Sequence, residues 1–224
     1  MNKDVIENFF KAYWKPGMYT VCTDKVPKEM MRSEINESGW FEWGLIKGNL
    51  TVKDYQKVEK DLNIQYPPSF IEWHRAYFFL DGDCSLVRLP ESNPNELLHD
   101  LRSVDDLSAS EQLIPMKIYP FADEGNDTGS LVFDAREPVE SHEFPVRVYD
   151  HEYDGELEGL SNVIFSSFTK LLECITHFLE LRAVKSDYKI IPDFFTIDPT
   201  GAGLAGRDYW NCWIEMLKAH ENTS

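Results

Sequence analysis

The sequence predicts an α+β fold in which an antiparallel or mixed central sheet is covered by helices, with extra helices at both ends of the chain. Three observations favour this class. Apolar residues recur at helical spacing near both termini, and most strand-like segments are consecutive in the middle. The connections between those strands are predicted to be loops, whereas parallel strands need long, usually helical connections.

The composition supports one large core. Of the 224 residues, 42% are hydrophobic and 13% are aromatic, which argues against disorder. We predict a helical N-terminal extension over residues 1–50, a core domain over residues 51–183, and a C-terminal extension over residues 184–224 with one helix. Because the apolar stripes of the two extensions are too small to form cores alone, both are expected to pack on the central domain.

The first 62 residues contain two clear helical patterns. The first ends before Pro16-Gly17, and its apolar positions are Val5, Phe9, Phe10 and Tyr13. A short helix is predicted around residues 28–36 and a strand over residues 40–46. A second clear helix begins after Thr51, whose hydroxyl can cap it, while Asp54 favours the positive helix end. Its buried stripe is Val52, Tyr55, Val58 and Leu62.

Pro68 is predicted to open the next helix, since a proline suits the first helical turn. Its stripe is Phe70, Trp73, Tyr77 and Leu80. Downstream, residues 84–89 alternate like a strand and residues 95–102 are predicted to form a short helix. Further strands are predicted over residues 113–119, 130–133, 146–149 and 162–165. Ser166 or Ser167 can cap a long helix that reaches residue 182, and a last helix covers residues 207–219.

Charge is distributed very unevenly along the chain. Residues 81–160 hold 20 Asp and Glu against 5 Lys and Arg, whereas residues 1–80 hold 11 of each kind. A concentrated negative field repels nucleic acids and anionic membranes and attracts basic protein surfaces. We therefore expect a basic protein partner, no nucleic acid and no membrane. An acidic surface that serves solubility alone remains the alternative.

Two features bear on the compartment. The four cysteines, Cys22, Cys84, Cys174 and Cys212, show no Cys-x-x-Cys or zinc spacing, and we expect buried thiols. The N-terminal sequence lacks the apolar core of a signal peptide, and no apolar run approaches the length of a membrane span. Both observations predict a cytoplasmic protein.

Two glycine-containing motifs fail as ligand sites. Gly201, Gly203 and Gly206 match a dinucleotide fingerprint, but Pro199 precedes them and no second strand follows, so a flexible turn before the last helix is predicted. Residues 123–127 lack the spacing of a calcium loop. Gly125 and Gly129 are expected instead to allow positive backbone angles in a tight turn.

Asp150 and Glu152 could form a carboxylate pair if their strand continued. Acid–base catalysis needs an apolar pocket that separates two carboxyl pKa values, and this segment is acidic almost throughout. A solvated acidic face is the favoured interpretation.

The order of several motifs resembles the SUKH superfamily, which includes Smi/Knr-type regulators of cell-wall synthesis and bacterial toxin-immunity proteins. The similarity covers residues 51–182, here taken as a SUKH-like core. Its motifs are Asp61 to Ile64, Tyr66 to Phe70, Ile114-Pro115, Phe121-Ala122-Asp123, Gly125 to Gly129, Phe133-Asp134, Pro145-Val146, Tyr149 to Glu152, and Phe165 to Phe168. The resemblance implies a helix-backed sheet, no known catalysis, and binding that blocks a toxin, often a nuclease.

We therefore predict a non-catalytic protein-binding module, an immunity protein that neutralises a cognate toxin through an acidic face. No catalytic residue, cofactor or metal is expected. The alternatives are a regulatory scaffold in cell-wall or envelope synthesis, and a carboxylate-dependent hydrolase that uses Asp150 and Glu152. The predicted partner-binding residues are Asp123, Glu124, Asp127, Asp150, Glu152, Asp154 and Glu156.

Overall fold

The computed structural model describes residues 3–14, 18–21, 25–103, 109–136 and 139–221. It confirms the α+β class, with antiparallel strands that are grouped in three sheets and packed against helices. The helices are α1 (Lys3–Trp14), α2 (Val52–Leu62), α3 (Pro68–His74), α4 (His99–Arg102), α5 (Ser110–Leu113), α6 (Phe168–Leu181), α7 (Asp187–Ile190), α8 (Phe194–Ile197) and α9 (Arg207–Glu221). The strands are β1 (Met18–Val21), β2 (Trp40–Trp43), β3 (Ile46–Lys47), β4 (Tyr77–Phe78), β5 (Val87–Arg88), β6 (Ile118–Glu124), β7 (Gly129–Asp134) and β8 (Val146–Asp150).

The N-terminal region contributes both helix and sheet. Helix α1 buries Phe9 and Phe10, and the Phe10 ring stacks on Trp73 of α3 with 6.2 Å between ring centroids. Strands β1 and β2 form an antiparallel ribbon in which Phe41 and Trp43 face the core. Only residues 28–30 of the helix predicted around 28–36 are helical, as a single 3₁₀ turn.

Helix α2 begins as predicted, at a capping box formed by Thr51 and Asp54. The Asp54 carboxylate accepts hydrogen bonds from both the amide and the hydroxyl of Thr51, each at 2.7 Å. Helix α3 opens at Pro68 but ends at His74, so the prediction of a helical stripe through Leu80 was wrong. Tyr77 and Phe78 instead form β4, which pairs with β3.

The main sheet has the strand order β5-β6-β7-β8, and all its neighbours are antiparallel. Three of the predicted strands are only partly formed. The segment 84–89 pairs only over Val87–Arg88, the segment 113–119 enters the sheet only at Ile118, and Phe165 makes a single bridge to Val146. Helix α5 and a 3₁₀ turn occupy most of residues 110–116 instead.

One face of this sheet packs on the aromatic core. Phe121 and Phe133 stack with 3.8 Å between their ring centroids, and Phe70 of α3 and Phe168 of α6 meet them edge-on. Helix α6 begins as predicted, because the Ser167 hydroxyl accepts a hydrogen bond from the Lys170 amide at 3.2 Å. The other face is covered at one end by a small cluster made of Leu113, Ile118, Val132 and Tyr149.

The C-terminal extension holds more helix than the one predicted, since α7 and α8 precede α9. The segment Gly201–Ala205 before the last helix forms a π-helical turn. An added Cβ at Gly201 would lie 2.2 Å from the backbone nitrogen of Ser166, so the glycine permits close packing. Asp198 fixes this contact by accepting hydrogen bonds from the amide and hydroxyl of Ser166, each at 2.7 Å.

In the described parts of the chain, no helix is both long enough and apolar enough to cross a bilayer. Cys84 and Cys174 are buried as expected, Cys212 is exposed, and Cys22 lies outside the described residues.

Candidate functional site

The candidate site lies along the edge of the main sheet that is formed by β5. Strand β5 pairs with β6 so that Arg88 lies opposite Asp123 and Val87 lies opposite Glu124. Because successive side chains of a strand point to opposite faces, Arg88 and Asp123 share one face while Val87 and Glu124 share the other. Val87 and Glu124 are buried, whereas Arg88 is exposed and Asp123 is half-buried.

Two adjacent depressions occupy this face. The first, about 370 Å³, lies between the loop after β4, strand β5 and helix α4, and the second, about 330 Å³, lies over the β6–β7 turn. Arg88 and Asp123 line both. We call the surface around them the acidic surface, and its carboxylates are those of Asp81, Asp83, Glu91, Asp100, Asp123 and Asp127.

Backbone amides fix the carboxylates of the first depression. Asp81 Oδ1 accepts a hydrogen bond from the Asp83 amide at 2.8 Å, and Asp100 Oδ2 accepts one from the Glu91 amide at 2.8 Å. The first bond lies within the loop after β4, and the second joins the segment after β5 to helix α4. The carboxylates are therefore held in place before any partner arrives, which lowers the entropic cost of binding.

A buried histidine supports the Glu91 segment. The Nε2 atom of His74 lies 2.9 Å from the Glu91 carbonyl, and its Nδ1 atom lies 2.8 Å from the Tyr55 hydroxyl. Burial lowers the pKa of His74 to about 4, so the ring is neutral at physiological pH. A carbonyl can only accept, which places the proton on Nε2 and makes Nδ1 the acceptor for Tyr55.

Burial and neighbouring negative charges raise the pKa values of several carboxyl groups at this site. Burial, with Asp100, Asp81 and Glu96 nearby, raises the pKa of Glu91 to about 7. Burial also raises the pKa of Asp81 and of Asp123 above the usual range. A cationic group placed in the depression would favour the ionised form of all three carboxyl groups, so cation binding and deprotonation are coupled here.

Arg88 is the cationic residue that lines both depressions, and it already forms an ion pair. Its guanidinium donates to Asp127 Oδ1 at 2.6 Å across the β6–β7 turn. Asp127 adopts a left-handed backbone with φ of 56°, whereas the expected positive angle at Gly125 is absent. Gly125 is needed for a different reason, since an added Cβ would lie 2.1 Å from the Ser85 carbonyl oxygen.

Glu124 was predicted from the sequence to bind the partner, but the structure buries its side chain. Its side chain is 1% exposed and accepts a hydrogen bond from the Tyr209 hydroxyl at 2.9 Å. Its other oxygen accepts from the amides of Asn126 and Thr128, at 2.7 and 3.3 Å. The carboxylate is thus a structural acceptor beneath the turn.

Of the remaining predicted residues, Asp150 ends β8, and Glu152, Asp154 and Glu156 lie in a second acidic turn, residues 151–156, which we call the Glu152 turn. The His151 amide donates to the Thr128 carbonyl at 3.3 Å, so this turn adjoins the β6–β7 turn. Asp150 is half-buried and its Oδ1 accepts from the Glu152 amide at 2.9 Å. The side chains of Glu152, Asp154 and Glu156 are exposed.

The positions of Asp150 and Glu152 do not favour the alternative of a carboxylate-dependent hydrolase. Asp150 stabilises the local backbone, and Glu152 points into solvent from a 3₁₀ turn and not from a continued strand. A carboxylate pair that exchanges protons with a substrate needs a pocket that separates the two pKa values, and an exposed glutamate does not provide one.

Sequence reasoning named Asp123 and Asp127 but missed Asp81, Asp83, Glu91 and Asp100 as individual residues. They lie within 20 residues of one another but more than 20 residues before the β6–β7 turn, and the pairing of β5 with β6 brings them beside that turn. The available signal was the charge excess that begins at Asp81.

Among the described residues, no three His, Cys, Asp or Glu side chains are grouped so that they could hold a metal ion. Comparisons of the chain with protein-family models, with curated proteins and with solved structures find no match. The SUKH resemblance therefore rests on the order of its motifs in the sequence.

Proposed function

We propose that this chain is a protein-binding module that takes up a basic partner through the acidic surface and the adjoining Glu152 turn. The observation that carries the proposal is the lining of the two depressions. The six carboxylates of the acidic surface, one guanidinium and two imidazoles line them, and the guanidinium is already paired. Such a lining attracts Lys and Arg side chains and accelerates their approach.

Within this class we propose an immunity protein that blocks a cognate toxin. A nuclease toxin presents cations for its phosphates, and an acidic surface can occupy the same groove. The motif order that resembles the SUKH superfamily supports this narrower proposal.

The binding of cations is tested with a decaarginine peptide as the probe. At pH 8, where Glu91 is largely ionised, the triple variant Glu91→Gln, Asp123→Asn and Asp127→Asn removes about three charges from the acidic surface with little change in shape. A matched triple, Glu29→Gln, Glu34→Gln and Glu37→Gln, removes three exposed charges from the N-terminal region. Both change the net charge of −17 by three units.

At low salt, we expect the first triple to weaken peptide binding about tenfold, and the matched triple to change it less than twofold. Isothermal titration calorimetry measures both. Equal weakening by the two triples would show that only net charge matters, and the acidic surface would lose its proposed role.

The immunity role is tested by purification from the native host at low salt. Proteins that bind the unmodified chain and the matched triple, but not the first triple, are expected to include a basic toxin. That protein should arrest growth when expressed alone and should not when expressed with this chain. Growth arrest that co-expression does not relieve would contradict the immunity role.

A further inference from the structure

The β6–β7 turn is connected to the C-terminal helix through one buried carboxylate. Glu124 Oε2 accepts from the amides of Asn126 and Thr128 on either side of Asp127, and Glu124 Oε1 accepts from the hydroxyl of Tyr209 in α9. The two oxygens of one side chain therefore join the turn to an element 85 residues away.

The Tyr209 hydroxyl is itself held in place. It accepts a hydrogen bond from the Trp213 indole at 2.9 Å, one helical turn further along α9. Burial, together with the Glu124 carboxylate, raises the pKa of Tyr209, so the hydroxyl keeps its proton and remains a donor to Glu124.

Helix α9 is firmly docked on the core beside this contact. The Trp210 indole donates to the Ile164 carbonyl at 3.1 Å, and its ring packs on Phe165 with 5.1 Å between centroids. The buried Asp198 carboxylate fixes the segment before α9, because it accepts from Ser166 and from the Gly201 amide at 3.1 Å. Tyr209 thus projects from a rigid element.

From these contacts we infer that α9 belongs to the binding machinery: Tyr209 and Glu124 are positioning residues that hold the β6–β7 turn so that Asp127 faces a basic partner. This inference rests on the proposed function. It gives the C-terminal extension a role in recognition, through a contact that touches no partner itself. Without the Tyr209 bond, Glu124 loses one of its anchors and the turn samples orientations in which Asp127 is misplaced.

The test uses Tyr209→Phe, which removes the hydroxyl and keeps the ring. Hydrogen exchange by NMR should show the Asn126 and Thr128 amides exchanging about threefold to tenfold faster. The Glu152 and Gly155 amides in the neighbouring turn should keep their rates, since their acceptors are Asp150 and the Tyr149 hydroxyl. Binding of the decaarginine peptide should weaken about threefold.

Ile175→Val separates positioning from stability. This residue is buried in α6, and the substitution lowers global stability without touching the turn. We expect it to leave decaarginine binding unchanged. Unchanged exchange at Asn126 and Thr128 in Tyr209→Phe would overturn the inference, as would faster exchange with undiminished peptide binding.

The two proposals fail in different ways. If the Glu91, Asp123 and Asp127 triple binds the peptide as the unmodified chain does, the proposed function fails whatever Tyr209→Phe does. If that triple weakens binding and Tyr209→Phe does not, the acidic surface stands and only the positioning role of α9 is lost.

Discussion

The two neighbouring acidic turns are held in place by different kinds of contact. Below the β6–β7 turn, Glu124 reaches Tyr209 of the C-terminal helix, and above it Arg88 of another strand pairs with Asp127. The Glu152 turn depends on near neighbours: Asp150 accepts from the Glu152 amide, and the Tyr149 hydroxyl accepts from the Gly155 amide at 2.6 Å. Side-chain contacts to distant elements thus add to the local bonds of the β6–β7 turn. The Glu152 turn is held by local side-chain bonds and by one backbone bond to the first turn, from the His151 amide to the Thr128 carbonyl.

This difference has a physical consequence. A turn fixed by local bonds keeps its shape as long as its own residues are intact, whereas a turn fixed by distant elements responds to changes elsewhere in the fold. We expect the β6–β7 turn to be the more sensitive of the two.

The largest expected effect is that of Glu124→Ala. This change leaves the Tyr209 hydroxyl and the amides of Asn126 and Thr128 without their acceptor, and we expect a loss of about 3 kcal/mol in the free energy of unfolding. Glu152→Ala, at an exposed position of the other turn, should change it by less than about 0.5 kcal/mol. Urea denaturation measures both, and similar values for the two variants would contradict the comparison.

A smaller effect is expected in the Glu152 turn from Tyr149→Phe. The ring is 1% exposed and stays packed, but the Gly155 amide loses its acceptor. We expect a loss of about 1 kcal/mol, together with faster exchange of the Gly155 amide and no change at Asn126. An effect as large as that of Glu124→Ala would show that this turn, too, depends on contacts beyond its own residues.

A different kind of effect is expected in the pH dependence of stability at the first depression. Burial, followed by the negative charges of Asp100, Asp81 and Glu96, raises the pKa of Glu91 from an ordinary 4.5 to about 7 in the folded chain. The unfolded chain therefore releases this proton first, and folding stability falls as pH rises between these two values. In Glu91→Gln, this part of the decrease should disappear.

Urea midpoints at pH 5 and pH 8 measure this change. Asp81 and Asp123, whose pKa values are also raised, leave a residual slope in the variant. An identical decrease in the variant and in the unmodified chain would place the Glu91 carboxyl in an ordinary, solvated environment.

The elements that the sequence predicted well are those that local signals define. Helix α6 has a capping Ser167 and an uninterrupted apolar stripe, and β7 and β8 are apolar runs bounded by turn residues. The end of α3 was not predictable in this way. His74 is followed by β4, whose pairing of Phe78 with Ile46 joins residues 32 positions apart and overrides the helical spacing of Tyr77 and Leu80.

The same reason explains which part of the candidate site could be predicted. The charge excess and the acidic turns were evident from composition, and Asp123 and Asp127, which the sequence named, line the second depression. The burial of Glu124 depends on Tyr209, and the contribution of Glu91 and Asp100 depends on how α4 meets β5 and β6. Neither contact can be predicted from the spacing of residues that are close together in the sequence.

The central claim is that cations bind at the acidic surface. An NMR titration of the isotopically labelled chain with decaarginine at low salt tests it most directly. We predict that the largest amide shift changes occur at Asp83, Arg88, Asp123, Asp127 and His151, and that they diminish together as salt is added. Shift changes spread evenly over the surface, or centred on residues 29–37, would contradict the account.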